Sequence, residues 1–323
     1  MNSVNELKEL FNQAIEQADF PRQPKELYDP LRYILTIGGK RIRPILALMS
    51  CELFNQDAKK SMNAALAVEY FHNFSLIHDD IMDQADLRRG KETVHKKWNE
   101  NVGILSGDAL LVKAYEQLEV YPPELFKPLT QLLSKTAIEV CEGQQYDVDF
   151  ETTNEVTKEQ YIEMIRLKTA VLLGASLKMG AIIANASEKD AELIYNFGID
   201  LGIAFQLQDD YLDSFGTAES FGKRIGGDII NNKKTILFIE ALKSSNSNLK
   251  EELLKLYQKR DDSEHKIEEV KSIFDDSGAK KKTLSLIEHY TSRAFDSLDQ
   301  ISVNSQNKQE LKSLASYLMN RSI

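Results

Sequence analysis

The chain has 323 residues, of which 42 % are hydrophobic and 28 % are charged, a composition that excludes a largely disordered protein. Its net charge of −10 argues against nucleic-acid binding, which needs a basic surface. The sequence contains no apolar run long enough to span a membrane and no secretory signal. Two cysteines, Cys51 and Cys141, have no metal-binding spacing, so we expect a cytoplasmic protein.

Apolar residues recur every three or four positions along most of the chain, which predicts helices. All seven prolines lie at or before Pro128, so none interrupts the later helices. In chain order, we predict helices around 7–15 and at 31–37, 45–53, 61–83, 104–121, 129–150, 158–186, 188–213 and 234–242, with amphipathic helices beyond 248. The main predicted loops are 21–30, 122–123, 215–227 and 244–248. Because no linker or repeat is visible, we predict a single all-α domain spanning 1–323.

Two copies of the pattern DDxxD follow apolar helical stretches, DDIMD at 79–83 and DDYLD at 209–213. Residues four apart share a helix face, so the first and last aspartates of each copy project together. Such carboxylates repel each other unless a cation neutralises them, and Mg²⁺ prefers carboxylate oxygens together with substrate phosphates. A single copy is equally compatible with a solvated acidic helix end, whereas two matched copies favour a magnesium site.

Basic residues occur in several predicted loops. The segment GGKRIRP at 38–44 joins a Gly-Gly turn, where the backbone can approach an anion, to three basic side chains. The pair RR at 88–89 follows the first acidic segment, and arginine suits bidentate phosphate recognition. Lys223 lies in the glycine-rich loop predicted at 215–227, and Lys233 follows that loop. Each feature alone is typical of solvated surface, but together with the acidic segments they predict a site for two diphosphates.

These segments resemble the trans-isoprenyl diphosphate synthase (polyprenyl synthetase) family, from about Leu31 to Ile236. Its motifs occur here in the family's order, as GGKRIRP at 38–44, HNFSLIHDDIMD at 72–83, LRRGKETVH at 87–95, GQQYD at 143–147, KT at 168–169, FQLQDDYLD at 205–213, GKRIGGDI at 222–229 and NKKT at 232–235. The resemblance implies an isoprenoid synthase-like helical bundle with its active-site cavity among the central helices. It also implies a homodimer, three Mg²⁺ ions in each site, and transfer of prenyl groups from allylic diphosphates to isopentenyl diphosphate.

The resemblance also assigns residues to roles. The implied contacts of isopentenyl diphosphate are Lys40, Arg43, His72 and Arg89. The implied metal ligands are Asp79, Asp83, Asp209 and Asp213, with Asp80 also counted as catalytic. The implied contacts of the allylic diphosphate and its developing cation are Arg88, Lys168, Thr169, Gln206, Lys223 and Lys233. At about 100° per residue, His72 lies about 20° from Asp79 around the helix, and Gln206 about 60° from Asp209, in agreement with these roles. Without the family, His72, Thr169 and Gln206 could equally be polar groups in helix packing.

The resemblance places the floor of the hydrocarbon tunnel just before the first acidic segment, at Phe74, Ser75 and Phe71. A bulky ring at that level, with no insertion inside 79–83, indicates geranylgeranyl diphosphate as the product and dimethylallyl, geranyl or farnesyl diphosphate as primers. A farnesyl diphosphate synthase is the alternative. One departure from the family occurs at 231–232, where Asn-Asn replaces the usual Glu-Gly.

Two further functions compete with this interpretation. A class I terpene cyclase also uses DDxxD, but usually carries an Asn/Ser/Glu metal motif where this chain has 209–213, and it needs no isopentenyl diphosphate site. A non-catalytic subunit of a heteromeric prenyl synthase typically loses its acidic motifs, whereas both are intact here.

Overall fold

The computed structural model describes residues 2–153, 155–217, 225–258 and 261–319. Over these ranges the regular structure is helical apart from one antiparallel hairpin of two-residue strands, β1 (Leu87–Arg88) and β2 (Lys91–Glu92), which confirms the all-α prediction. The helices in chain order are α1 (Val4–Glu16), α2 (Lys25–Thr36), α3 (Ile42–Leu53), α4 (Met62–Met82), α5 (Val94–Lys97), α6 (Glu100–Glu116), α7 (Pro123–Thr152), α8 (Lys158–Ile165), α9 (Val171–Ile183), α10 (Glu188–Phe215), α11 (Gly227–Ile230), α12 (Ile236–Ser244), α13 (Ser247–Leu256), α14 (Glu264–Asp276), α15 (Ala279–Asp299) and α16 (Ser305–Met319).

Short turns of other helix types occur at Ala58–Ser61 and Gln117–Val120, which are 3₁₀, and at Arg166–Ala170, which is a π-helix. None of the described helices is both long and apolar enough to cross a bilayer.

The chain divides into two compact units. The first comprises Met1–Ala137, Ala175–Tyr195 and Ile301–Glu310, and the second comprises Ile138–Gly174, Asn196–Gln300 and Leu311–Ile323. Helices α7, α9, α10 and α16 contribute residues to both units.

Helix α4 forms the centre of the first unit and packs most extensively against α6. Its residues from Ala64 to Phe71 are buried on nearly every side, as expected for a helix that is apolar all round. Glycines on α6 allow the close approach, because a Cβ on Gly103 would lie 2.8 Å from Cδ1 of Ile81. This packing fixes the C-terminal end of α4, which carries the first acidic segment.

The core of the second unit is formed by buried apolar side chains of α8, α10, α12, α14 and α15. Leu207 and Leu212 of α10 pack in this core together with Leu237 of α12 and Phe274 of α14. Leu207 lies just before the second acidic segment and Leu212 lies within it, so burial of this apolar side of α10 fixes the orientation of the aspartates.

Two predicted boundaries are wrong because proline does not end the helices where we expected. Helix α2 begins at Lys25 and contains Pro30, although 21–30 was predicted to be a loop. Helix α7 begins at Pro123 and contains Pro128. Proline in a first helical turn loses no hydrogen bond, which explains Pro123. Pro30 itself is buried, so packing of its face of α2 offsets the missing backbone donor.

Candidate active site

The first acidic segment occupies the last turn of α4. Asp79 is half-buried and Asp83, at the C-cap, is exposed. The C-terminal end of a helix carries a partial negative charge, which makes carboxylates there unfavourable unless a cation is near. This end of α4 is therefore suited to a hard cation.

The middle aspartate of this segment has a different partner. Asp80 is only 1 % exposed and accepts two hydrogen bonds from Arg88, from Nε at 2.8 Å and from Nη2 at 2.6 Å. This bidentate ion pair ties the hairpin β1–β2 to the end of α4. The structure pairs Asp80 with Arg88, and the catalytic role of Asp80 and the diphosphate contact of Arg88 stay predictions.

The predicted isopentenyl diphosphate residues Arg43, His72 and Arg89 lie close together in the first unit. Nη1 of Arg43 lies 3.4 Å from Nε2 of His72. Gly39 has a φ of +147°, and a Cβ on it would lie 2.5 Å from Nη1 of Arg89. The φ value favours glycine at this position, and a side chain there would displace the Arg89 guanidinium. Lys40, on the same loop, is exposed.

The charges around His72 are predominantly positive. Burial, followed by the charges of Arg43 and Arg89, holds the pKa of His72 well below its ordinary value of 6.5. Burial lowers the pKa of Arg43 to about 10, although the Glu69 carboxylate opposes this shift. Glu69 itself is buried in an ion pair with Arg41. A cluster with this excess of cationic groups favours a bound anion.

The predicted tunnel-floor residues lie before the acidic segment, Phe74 and Ser75 by about one turn and Phe71 by about two. Phe74 packs between two neighbours on α4, with ring centroids 5.6 Å from Phe71 and 4.8 Å from His78. The hydroxyl of Ser75 donates to the backbone carbonyl of His72 at 2.9 Å. Phe71 is fully buried, whereas Phe74 and Ser75 are half-buried.

In the second unit, Lys168 and Thr169 lie on the π-helical turn. The sequence predicted one helix over 158–186, and the structure interrupts it at 166–170. Insertions of this kind occur often at functional sites, because they re-aim side chains within a helix. Nζ of Lys168 forms an ion pair with Oδ2 of Asp147 at 2.5 Å.

The second acidic segment also has a buried middle aspartate. Asp210 accepts hydrogen bonds from the hydroxyl of Tyr161 and from Nε2 of Gln206, the latter at 3.1 Å. Burial first, and then the charge of Asp228, raises the pKa of Asp210 well above its ordinary value. Oε1 of Gln206 accepts from the hydroxyl of Thr169 at 3.3 Å. The structure thus brings together the predicted residues Thr169 and Gln206.

The outer aspartates of this segment differ from each other. Asp209 is half-buried, while Asp213 is buried and its Oδ2 accepts a hydrogen bond of 2.9 Å from the backbone N–H of Asp228. Asp228 lies in the short helix α11, so Asp213 binds a backbone donor at the start of that helix. Both aspartates remain predicted metal ligands.

Lys233 and Lys234, near the end of the family pattern, differ in exposure and contacts. Lys233 is exposed, whereas Nζ of Lys234 donates to the carbonyl oxygens of Phe150 and Thr153 at 2.7 and 2.6 Å. Lys234 thereby caps the C-terminal end of α7. Asn232 adopts a φ of +57°, a left-handed conformation that asparagine tolerates, so the residue before Lys233 does not need to be glycine. Lys223 lies outside the described residues.

The residues present fit magnesium. Within the described ranges, no group of three or more His, Cys, Asp or Glu side chains is arranged to hold a metal ion by itself. Mg²⁺ is usually bound by one or two carboxylates together with water and substrate phosphates. Asp79 and Asp83, and separately Asp209, are donors of the right chemistry for such a site.

Sequence reasoning missed several residues that hold these side chains in place, namely Glu69, Asp147, Tyr161 and Asp228. Asp147 and Asp228 lie inside recognised motifs, 143–147 and 222–229, so those motifs were available signals. Glu69 and Tyr161 lie in ordinary helical stretches and carry no local signal, because their partners are distant in the chain.

The architecture is the all-α isoprenoid synthase fold, with acidic helix ends and basic residues suited to diphosphates. The family model for polyprenyl synthetase matches residues 24–275, and the chain belongs to this family. Geranylgeranyl pyrophosphate synthase of Geoglobus acetivorans is 36 % identical over 98 % of each chain. A crystal structure of geranylgeranyl pyrophosphate synthase is 49 % identical over the whole of both chains, with a TM-score of 0.94.

A more distant neighbour is the geranylgeranyl pyrophosphate synthase of Corynebacterium glutamicum, solved with isoprenyl diphosphate and magnesium. It is 28 % identical, covers 98 % of this chain and 97 % of its own, and has a TM-score of 0.85.

Proposed function

We propose that this chain is a trans-isoprenyl diphosphate synthase that condenses isopentenyl diphosphate with allylic diphosphates, and that its main product is geranylgeranyl diphosphate. The observation that carries the proposal is the cluster of Arg43, His72 and Arg89, made positive by its two guanidinium groups, in the same unit as the acidic end of α4. A protein that only ionises one allylic diphosphate has no need of this second anion site. The names of the related proteins support the same reaction and product.

In the proposed reaction, the carbon–oxygen bond of the allylic diphosphate breaks and leaves an allylic cation. The π bond of isopentenyl diphosphate attacks the cation and forms the new carbon–carbon bond, and a proton then passes to the released diphosphate. Lys168, Thr169 and Gln206 are the proposed contacts of the departing group and the cation, with Lys223 and Lys233 as further contacts of the diphosphate. Oxygen dipoles from Thr169 and Gln206 favour the cation electrostatically.

We propose that Asp79, Asp83, Asp209 and Asp213 hold three magnesium ions. Magnesium would supply positive charge to the leaving diphosphate. The bound magnesium of the Corynebacterium glutamicum protein supports this assignment.

We further propose that the whole chain acts as one prenyltransferase domain, is cytoplasmic and forms a homodimer. Neither Cys51 nor Cys141 forms a disulfide, as suits a reducing compartment. One side of α6 exposes Leu105 and Val112 at 60 and 64 %, and such apolar patches favour an interface, here with a second copy. Sedimentation velocity of L105D/V112D should give monomers where the wild type gives dimers.

Product analysis tests the reaction. Purified protein is incubated with Mg²⁺, labelled isopentenyl diphosphate and each allylic primer in turn, and the dephosphorylated alcohols are sized by chromatography. We expect geranylgeraniol, and its loss on addition of a chelator. Farnesol would indicate the shorter-chain synthase. Folded protein that makes no condensation product with any primer would contradict the proposal and favour a cyclase or a non-catalytic subunit.

A further inference from the structure

A chain of hydrogen bonds in the second unit runs from Tyr161 of α8 to Thr169 of the π-helical turn. The hydroxyl of Tyr161 donates to Oδ2 of Asp210, and Nε2 of Gln206 donates to Oδ1 of the same carboxylate. Oε1 of Gln206 accepts from the Thr169 hydroxyl. Tyr161 and Asp210 are 5 % and 3 % exposed, so water competes little for these bonds.

This chain determines which end of the Gln206 amide faces which way. Oδ1 of Asp210 accepts the hydrogen bond from the Gln206 amide nitrogen, so the carbonyl oxygen of the amide faces away from Asp210. The two ends of an amide are nearly equal in size, and packing alone therefore discriminates poorly between the two orientations. Tyr161 occupies the other oxygen of Asp210 and so holds the carboxylate that selects the orientation.

We infer that Tyr161 is a positioning residue for prenyl transfer, which acts through Asp210 to present the carbonyl oxygen of Gln206, and not its NH₂ group, to the allylic cation. The inference rests on the proposed function, in which Gln206 meets that cation. The orientation matters because the amide oxygen attracts positive charge, whereas the NH₂ end repels it. Tyr161 need not touch the substrate.

If Tyr161 contributed only to packing, removal of its hydroxyl would have a different effect. Its ring belongs to the core of the second unit, so a packing role would be preserved when only the hydroxyl is removed. Tyr161→Phe makes that change, and Tyr290→Phe, at a half-buried tyrosine of α15, is the matched control.

The first measurement is steady-state prenyl transfer. Absence of product from the wild type would count against the proposed function and not against Tyr161 specifically. Given an active wild type, we expect Tyr161→Phe to lower kcat about tenfold with the KM of isopentenyl diphosphate unchanged. In a Gln206→Ala background the same substitution should change kcat less than about twofold, because the amide it orients is gone. Tyr290→Phe should match the wild type.

The second measurement separates orientation from general disruption. Calorimetry compares the binding of two allylic diphosphate analogues. One has an ammonium group in place of the cationic carbon, and the other is a thio analogue that is neutral at that position. Tyr161→Phe should bind the ammonium analogue about tenfold more weakly and the neutral one unchanged. If Tyr161→Phe fails to fold, Asp210→Asn, which can donate as well as accept, should give the same selective loss. Equal weakening of both analogues, or full additivity with Gln206→Ala, would overturn the inference.

Discussion

The backbone of Gly143 in α7 lies directly against the backbone of Lys168 in the π-helical turn. A Cβ on Gly143 would lie 2.7 Å from both Cα of Lys168 and the carbonyl carbon of Leu167, which is closer than real Cβ contacts allow. A glycine at 143 therefore lets the turn that carries Lys168 and Thr169 seat against α7. From the same helix, Asp147 forms the ion pair with the Lys168 ammonium.

Gly143→Ala should displace the π-helical turn, because the obstructing atoms are backbone and cannot rotate away. We expect the free energy of unfolding to fall by about 1–3 kcal/mol, as for other overpacked sites, and prenyl transfer to fall with it. Urea unfolding and product formation measure the two effects. Glu142→Ala, at the exposed neighbouring position, should stay within about 0.5 kcal/mol of the wild type. Wild-type stability and activity in Gly143→Ala would refute the tight seating.

Asp80 and Asp83 should separate into a structural and a catalytic carboxylate. Asp80→Ala leaves Arg88 without its partner, so we expect a loss of about 3 kcal/mol in unfolding free energy. Asp83→Ala removes an exposed carboxylate, so stability should change by less than about 0.5 kcal/mol. Activity of Asp83→Ala should nevertheless fall about a hundredfold and need more Mg²⁺. Thermal unfolding with a magnesium titration checks both, and the reverse pattern would contradict the division.

The low pKa of His72 should make stability depend on pH. The unfolded chain takes up a proton at His72 near pH 6.5, but the folded protein does so only at lower pH. The contribution is therefore fully present above about pH 6.5 and is lost as the pH falls below that value. In urea titrations between about pH 7.5 and 5, the unfolding free energy of His72→Gln should have a smaller slope against pH than that of the wild type. The difference should correspond to up to about one proton taken up on unfolding. An unchanged slope in His72→Gln would refute a neutral His72.

Phe74→Ala should lengthen the product. The Phe74 ring packs against Phe71 and His78, so its removal opens space at the proposed tunnel floor. Chromatography of the dephosphorylated products should show chains longer than those of the wild type. Ser75→Ala is the control, because the Ser75 hydroxyl bonds to its own helix and its removal opens little space. Unchanged product length in Phe74→Ala would rule out Phe74 as the floor.

The sequence by itself determined the fold class, the family and the positions of the outer aspartates. Helical periodicity and the i, i+4 spacing of Asp79 and Asp83 are local properties, which depend on neighbours along the chain alone. Local rules failed at Pro30, where burial offsets the cost of proline within a helix, and within 158–186, where a π-helical turn interrupts the apolar pattern.

Only the tertiary structure decided which charged and polar side chains pair. The pattern DDxxD does not show that Asp80, among the aspartates of the first segment, binds Arg88. It likewise does not show that Asp210, among the aspartates of the second segment, binds Tyr161. Lys234 likewise looks equivalent to Lys233 until its contacts with the end of α7 are known. The physical reason is that each partner comes from another helix or hairpin, so the pairing follows from packing of apolar faces and not from spacing within one segment.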